Sequence, residues 1–200
     1  MVSYARDVST LNIATNYVEL QSGFTSISVE IPITDFKQKL FYTFMSGEPT
    51  SYGFGSSTLR LVKITDKYSK VLLRLFAEGG DNGSISIFPN DLVWLALKLR
   101  EIHLDSEEWF ICDDQIKVSR NNGTITLNDR RINYSTELSP VESEKLWGTM
   151  LMRCFGVPMD GIFGDVALMG NTLKFPFSVK KKRIVNPLTL KDIAKLLSIL

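Results

Sequence analysis

Histidine, cysteine, net charge and long apolar runs are all scarce in this chain of 200 residues, and each scarcity excludes something. The only histidine is His103, and no serine and aspartate can be grouped with it. Without an acid, base and nucleophile constellation, no enzymatic activity is expected. Cys112 and Cys154 lie far apart, with no CxxC or Cys/His cluster beside them. That excludes a disulfide framework and a zinc site, and suggests two reduced, buried thiols. The formal net charge is +1, so any polyanion site must be a local patch rather than the whole surface. No apolar run approaches the roughly 18 residues of a membrane span. The opening stretch MVSYARDVSTLNIATNY has no apolar signal core, so an intracellular protein with no membrane association is expected.

Ligand motifs are equally thin. Gly53-Phe54-Gly55 does not open a helix and fails as a phosphate cradle. Asp160 and Asp165 bracket DGIFGD, but two carboxylates are too few for a cation site. No metal or cofactor is expected. Asn82-Gly-Ser and Asn122-Gly-Thr match glycosylation acceptors and read better as turns.

What is present is an ordinary globular composition, 44% apolar and 22% charged, which excludes a disordered or fibrous chain. The clearest stretch is LRLVKITDKYSKVLLRLFAEGGDNGSISIFPNDLVWLALKLREI, residues 59–102. Three short apolar runs, Leu59–Ile64, Val71–Phe76 and Ser84–Phe88, are separated by polar turns and followed after Pro89 by a helical run. That is a β-meander ending in a helix. Nearly every position of Leu92–Leu99 is apolar, so this helix should be covered on most sides.

The remaining chain reads in the same terms. Residues 1–15 have no clear period and suggest an arm or an irregular first strand. Tyr17–Leu20 and Thr25–Ile31 read as strands, and Asp35–Phe44 as a helix with Thr34 as cap. Residues 46–58 are a Gly/Ser/Pro loop. Trp109–Cys112, Gln115–Ser119, Thr124–Leu127 and Arg131–Tyr134 read as four strands after the charged break Asp105–Glu108, with Asn122-Gly123 a hairpin turn. Ser139, Pro140 and Glu142 form a capping box ahead of a long helix. After a loop at 156–164, Val166–Met169 and Thr172–Val179 suggest a hairpin, Arg183–Val185 a last strand and Leu190–Leu200 a last helix capped by Thr189 and Asp192.

Four times the chain passes from strands through a Pro-containing hinge into a helix: EIPITDF, IFPNDL, LSPVESEKL and VNPLTLKDI, about 50 residues apart. Either one unit is duplicated or a common strand–Pro–helix junction recurs. The expected fold is α+β: a repeated antiparallel β-meander followed by a helix, with units paired around a shared core. Residues 1–104 would hold the first pair and 105–200 the second, or all four would form one compact domain.

The strand pair LRLVKI and KVLLRLF followed by GSISIFPNDLVWLALKL resembles the single-stranded DNA-binding fold of the PC4 coactivator, Whirly proteins and PUR repeats. QIKVSRNNGTITLNDRRINYSTELSPVESEKLW resembles a second copy. The resemblance covers about half the chain and is one of pattern rather than motif. The chain departs from it in its neutral charge and in lacking a basic fourth strand. It implies single-strand nucleic-acid binding, DNA or RNA, on an exposed sheet face.

Pleating puts Arg60 on one face with Val62 and Ile64, and Leu72, Arg74 and Phe76 on the same side of the next strand. Cations with a stacking ring are what a single-strand binder uses, although another protein layer covering Val62, Leu72 and Phe76 would read the same. Lys63 lies near the turn with Tyr68 and Lys70. The densest positive run, Lys180, Lys181, Lys182 and Arg183, is a candidate phosphate grip or a solvated turn, and Arg130 with Arg131 is a smaller case. The expected function is therefore a non-enzymatic single-strand binder in replication, recombination or transcription, as a homo-oligomer or with a protein partner. A scaffold protein of a virus or multi-subunit complex is the main alternative, and a sliding-clamp-like repeat protein is a third.

Overall fold

A computed structural model describes residues 1–54, 57–78, 83–175 and 186–200. The α+β class holds: four antiparallel four-stranded meanders are each followed by a helix. The first contains β1 (Val2–Arg6), β2 (Ser9–Ile13), β3 (Tyr17–Ser22) and β4 (Thr25–Glu30), then α1 (Ile33–Ser46). The second contains β5 (Thr50–Phe54), β6 (Ser57–Thr65), β7 (Val71–Ala77) and β8 (Ser84–Ile87), then α2 (Pro89–Arg100). The third contains β9 (Ser106–Ile111), β10 (Ile116–Asn121), β11 (Thr124–Asp129) and β12 (Tyr134–Leu138), then α3 (Pro140–Cys154). The fourth contains β13 (Gly161–Phe163), β14 (Val166–Met169), β15 (Thr172–Lys174) and β16 (Asn186–Pro187), then α4 (Leu190–Ile199). The chain divides into two compact units, Met1–Leu104 and Asp105–Leu200.

Each meander buries one pleated face. In the first, Val2, Tyr4, Leu11, Ile13, Val18, Leu20 and Val29 point inward, and Ser3, Asn12, Glu19 and Ser28 face out in one register row. In the second, Leu59, Leu61, Leu73, Leu75, Ile85 and Ile87 point inward. In both units, helices lie on the neighbouring meander. α1 packs on β5 and β6, with the Phe36 and Tyr52 rings 5.2 Å apart and the Lys39 ammonium donating to the Ser51 carbonyl. α2 packs on β1, where Tyr4 donates its hydroxyl to Asp91 at 2.8 Å and its ring lies 6.2 Å from Trp94. In the second unit, α4 packs on β9 and β10, and α3 touches β13. Asp192 of α4 accepts the Cys112 N–H, Lys195 donates to the Phe110 carbonyl, and Arg120 donates to the Ile199 and Leu200 carbonyls.

Several expectations need correction. Residues 1–15 are two paired strands, and residues 50–54 of the supposed loop are β5. Gly161–Phe163 of the supposed loop at 156–164 is β13, pairing with β14. Asp105–Glu108 is not wholly a break, because β9 starts at Ser106. Arg131 lies in the turn before β12 rather than in a strand. Thr34 does not cap α1; it is buried inside the first turn, and Pro32 stands at the cap without a side-chain hydrogen bond. α2 is not covered on most sides, because Val93, Trp94 and Leu97 are 37%, 43% and 51% exposed. Its apolar residues cluster on two sides, and only Leu92, Leu95, Ala96 and Leu99 find the core. The capping boxes of Ser139 with Glu142 and of Thr189 with Asp192 both form. Arg183–Val185 and the end of the Thr172–Val179 strand lie outside the described residues.

Candidate nucleic-acid interface

Pairing of β6 with β7 sets Arg60 opposite Phe76, Val62 opposite Arg74 and Ile64 opposite Leu72. Since Leu59, Leu61, Leu73 and Leu75 fill the core, the alternate residues must face out. Arg60, Arg74 and Phe76 therefore share one face, with Ser84 and Ser86 of β8 beside them. Val62, Ile64, Arg74, Phe76 and Ser84 line a hollow of about 500 Å3. Arg74 is exposed and its guanidinium donates to the Ser84 hydroxyl at 2.9 Å. Arg60 is paired with Glu78 at 3.3 Å, an ion pair between half-exposed groups that water weakens. Leu72 on this face is buried, so the covered reading applies to that position while the two guanidiniums stay open.

Gly83 fixes one border of the hollow. It has φ +85°, and a Cβ there would meet the Ser22 side chain at 2.1 Å. Only glycine suits that backbone and that approach of the first meander. The same border is tied by Ser9, whose hydroxyl donates to the Ser84 carbonyl at 2.9 Å.

Lys63 does not join this face. Its pleat is that of Leu61, and its ammonium donates to the Phe44 carbonyl at 2.6 Å, closing the end of α1. Arg131 is similarly committed: it pairs with Asp129, whose side chain is fully buried, and donates to Asn186. Burial pushes the Asp129 carboxyl up, but the Arg131 side chain and N–H, with Asn186, outweigh it and hold it below the usual range. Arg130 is exposed over the Phe110 ring, 5.5 Å from its centroid, in the second unit. Lys180, Lys181, Lys182 and Arg183 lie outside the described residues.

The outer faces of the first and third meanders differ. In the first, Asn12 and Ser26 hydrogen-bond Glu19, and those bonds hold its carboxyl below the usual range. No lysine or arginine shares that outer face. In the third, Lys117 is paired with Glu108 at 2.5 Å, and Ser119, Thr126 and Glu137 fill the next row. Asp165 accepts the Tyr134 hydroxyl, and Asp160 accepts the Gly170 N–H. Among the described residues, no three His, Cys, Asp or Glu side chains gather as a metal site would require, and no helix is long and apolar enough to cross a membrane. Burial, then the Asp192 carboxylate, pushes the Cys112 thiol up to about 12, which suits a structural rather than a reactive cysteine.

Sequence reading missed Arg6, which stacks over Phe88 at 4.1 Å and pairs with Asp91 at 2.7 Å. These partners are more than 80 residues away in sequence, so no local pattern announces them. Searches of family models, curated proteins and solved structures found no match to this chain.

Proposed function

We propose that this chain is a non-enzymatic, intracellular nucleic-acid-binding protein that holds a single strand of DNA or RNA on the outer face of its second meander. One observation carries the reading: among the described residues, this face joins two exposed guanidiniums and an aromatic ring on neighbouring strands. Arg60 and Arg74 take phosphates, and Phe76 offers a base a stacking surface worth about 1–3 kcal/mol. The resemblance of residues 59–102 to PC4, Whirly and PUR proteins supports the same reading. A role in replication, recombination or transcription follows from the substrate.

The test is fluorescence anisotropy with a labelled single-stranded oligonucleotide across a salt series. Arg74→Glu should weaken binding at least roughly tenfold and flatten the slope of log affinity against log salt by about 0.7 for each phosphate the protein no longer grips. Unchanged affinity would remove the sheet-face reading. DNA and RNA probes of one sequence identify the preferred strand.

A second reading, a scaffold component of a virus or multi-subunit complex, draws on the exposed stripe Val93, Trp94 and Leu97 of α2. Three apolar side chains on one exposed helix face suit a protein contact. Light scattering decides it: an oligomer that Leu97→Glu converts to monomer, with no response to the oligonucleotide, favours this reading.

A further inference from the structure

We propose that the bound strand continues past the sheet face into an adjoining hollow, where Tyr68 is a base-stacking subsite. This inference rests on the single-strand reading above. The outward row of β8 runs through Ser84 and Ser86, and Phe88 continues it, its backbone still extended at φ −79° and ψ 160°. By that alternation Phe88 lies on the side of Arg74. At the same end of the ladder as Phe88, the turn joining β6 to β7 carries Tyr68, which is 68% exposed, and Lys70. Lys70 is four residues before Arg74, about 13 Å along an extended strand. Arg6, Tyr68, Lys70 and Phe88, with Asp66 and Asp91, border a hollow of about 720 Å3.

The charges of this hollow say what it takes. Asp91 is occupied by the Arg6 guanidinium at 2.7 Å and the Tyr4 hydroxyl at 2.8 Å. Asp66 is occupied by the N–H groups of Tyr68 and Lys70, which fix the turn. Arg6 is thus paired with Asp91, Lys70 offsets Asp66 in formal charge only, since Asp66 accepts from backbone N–H groups, and the Lys67 ammonium lies over one side of the Tyr68 ring, 5.0 Å from its centroid. To a base the hollow offers flat surface: the side of the exposed Tyr68 ring away from Lys67, and the Arg6 guanidinium lying on Phe88. Rings and guanidinium planes both accept unstacked bases, without preference among them. The subsite therefore adds affinity by stacking, whereas the Arg60–Arg74 face adds it through phosphates.

Labelled oligothymidylates of graded length, titrated by anisotropy at several salt concentrations, test the division. Tyr68→Ala should weaken the longer probes about tenfold, leave the shortest unchanged, and keep the salt slope of the wild type. Tyr68→Phe should retain full affinity, because it keeps the ring. If Tyr68→Ala binds every length within twofold of wild type while Arg74→Glu still fails, the subsite is overturned and the sheet-face reading survives. If Arg74→Glu binds normally, the sheet face falls and the subsite falls with it.

Discussion

Lys63 and Arg74 are cations on adjacent strands, and pleating sends them to opposite sides of one sheet. Lys63 donates to the Phe44 carbonyl in the last turn of α1, so its work is structural. Lys63→Met should cost about 1–2 kcal/mol of stability in urea titration and leave oligonucleotide affinity unchanged. Arg74→Glu should show the converse. Asp129 supplies a pH signature. Its folded carboxyl is held below the unfolded value, so its stabilisation is present above about pH 4 and lost as pH falls through the folded value. Urea midpoints should therefore drop below about pH 4, and Asp129→Asn should make that drop shallower while lowering stability at neutral pH.

At the scale of elements, the first strand of a meander is where sequence reading was weakest: β1, β5 and β13 were missed, and β9 was read from Trp109 although it starts at Ser106. β1, β5, β9 and β13 are each the edge of their sheet, paired on one side only. β5 offers Tyr52 as its one fully buried apolar ring, flanked by Ser51 and Gly53, and β9 turns a glutamate, Glu107, inward. Period-2 apolar alternation is what reveals a strand, and these strands have little of it. The central strands β6, β7, β10 and β11 alternate cleanly and were legible, as were the capping boxes, because a cap is a local hydrogen bond. The same rule divides the candidate site. The face of Arg60, Arg74 and Phe76 followed from parity alone, whereas the Arg131 and Lys63 partnerships depend on Asn186 and Phe44, distant in sequence. Gly83 belongs to this scale, since it lets β3 and β8 approach. Gly83→Ala should destabilise the first unit by about 1–3 kcal/mol, read by thermal unfolding, through both its positive φ and its closeness to Ser22.

For the whole molecule, the exchange of helices decides what can fold alone. α1 follows the first meander in sequence but packs on β5 and β6, and α2 follows the second but packs on β1. Neither meander has its covering helix within its own segment, and segments of about 50 residues bury too little surface to stand without one. Residues 1–104 contain both meanders and both helices, so this fragment should unfold cooperatively in urea and give dispersed amide resonances. Residues 1–48 and 49–104 made separately should each lack cooperative unfolding, because each holds a helix whose apolar face is deprived of its sheet. Mixing the two should restore the transition of the 1–104 fragment, since β1 would regain Trp94 and Tyr52 would regain Phe36. Independent cooperative folding of residues 1–48 as a monomer would show that the meander is stable without the exchange. The same logic applied to residues 105–200 joins α4 to β9 and β10 through Arg120, whose replacement by alanine should unfold that unit more readily than replacement of any exposed cation.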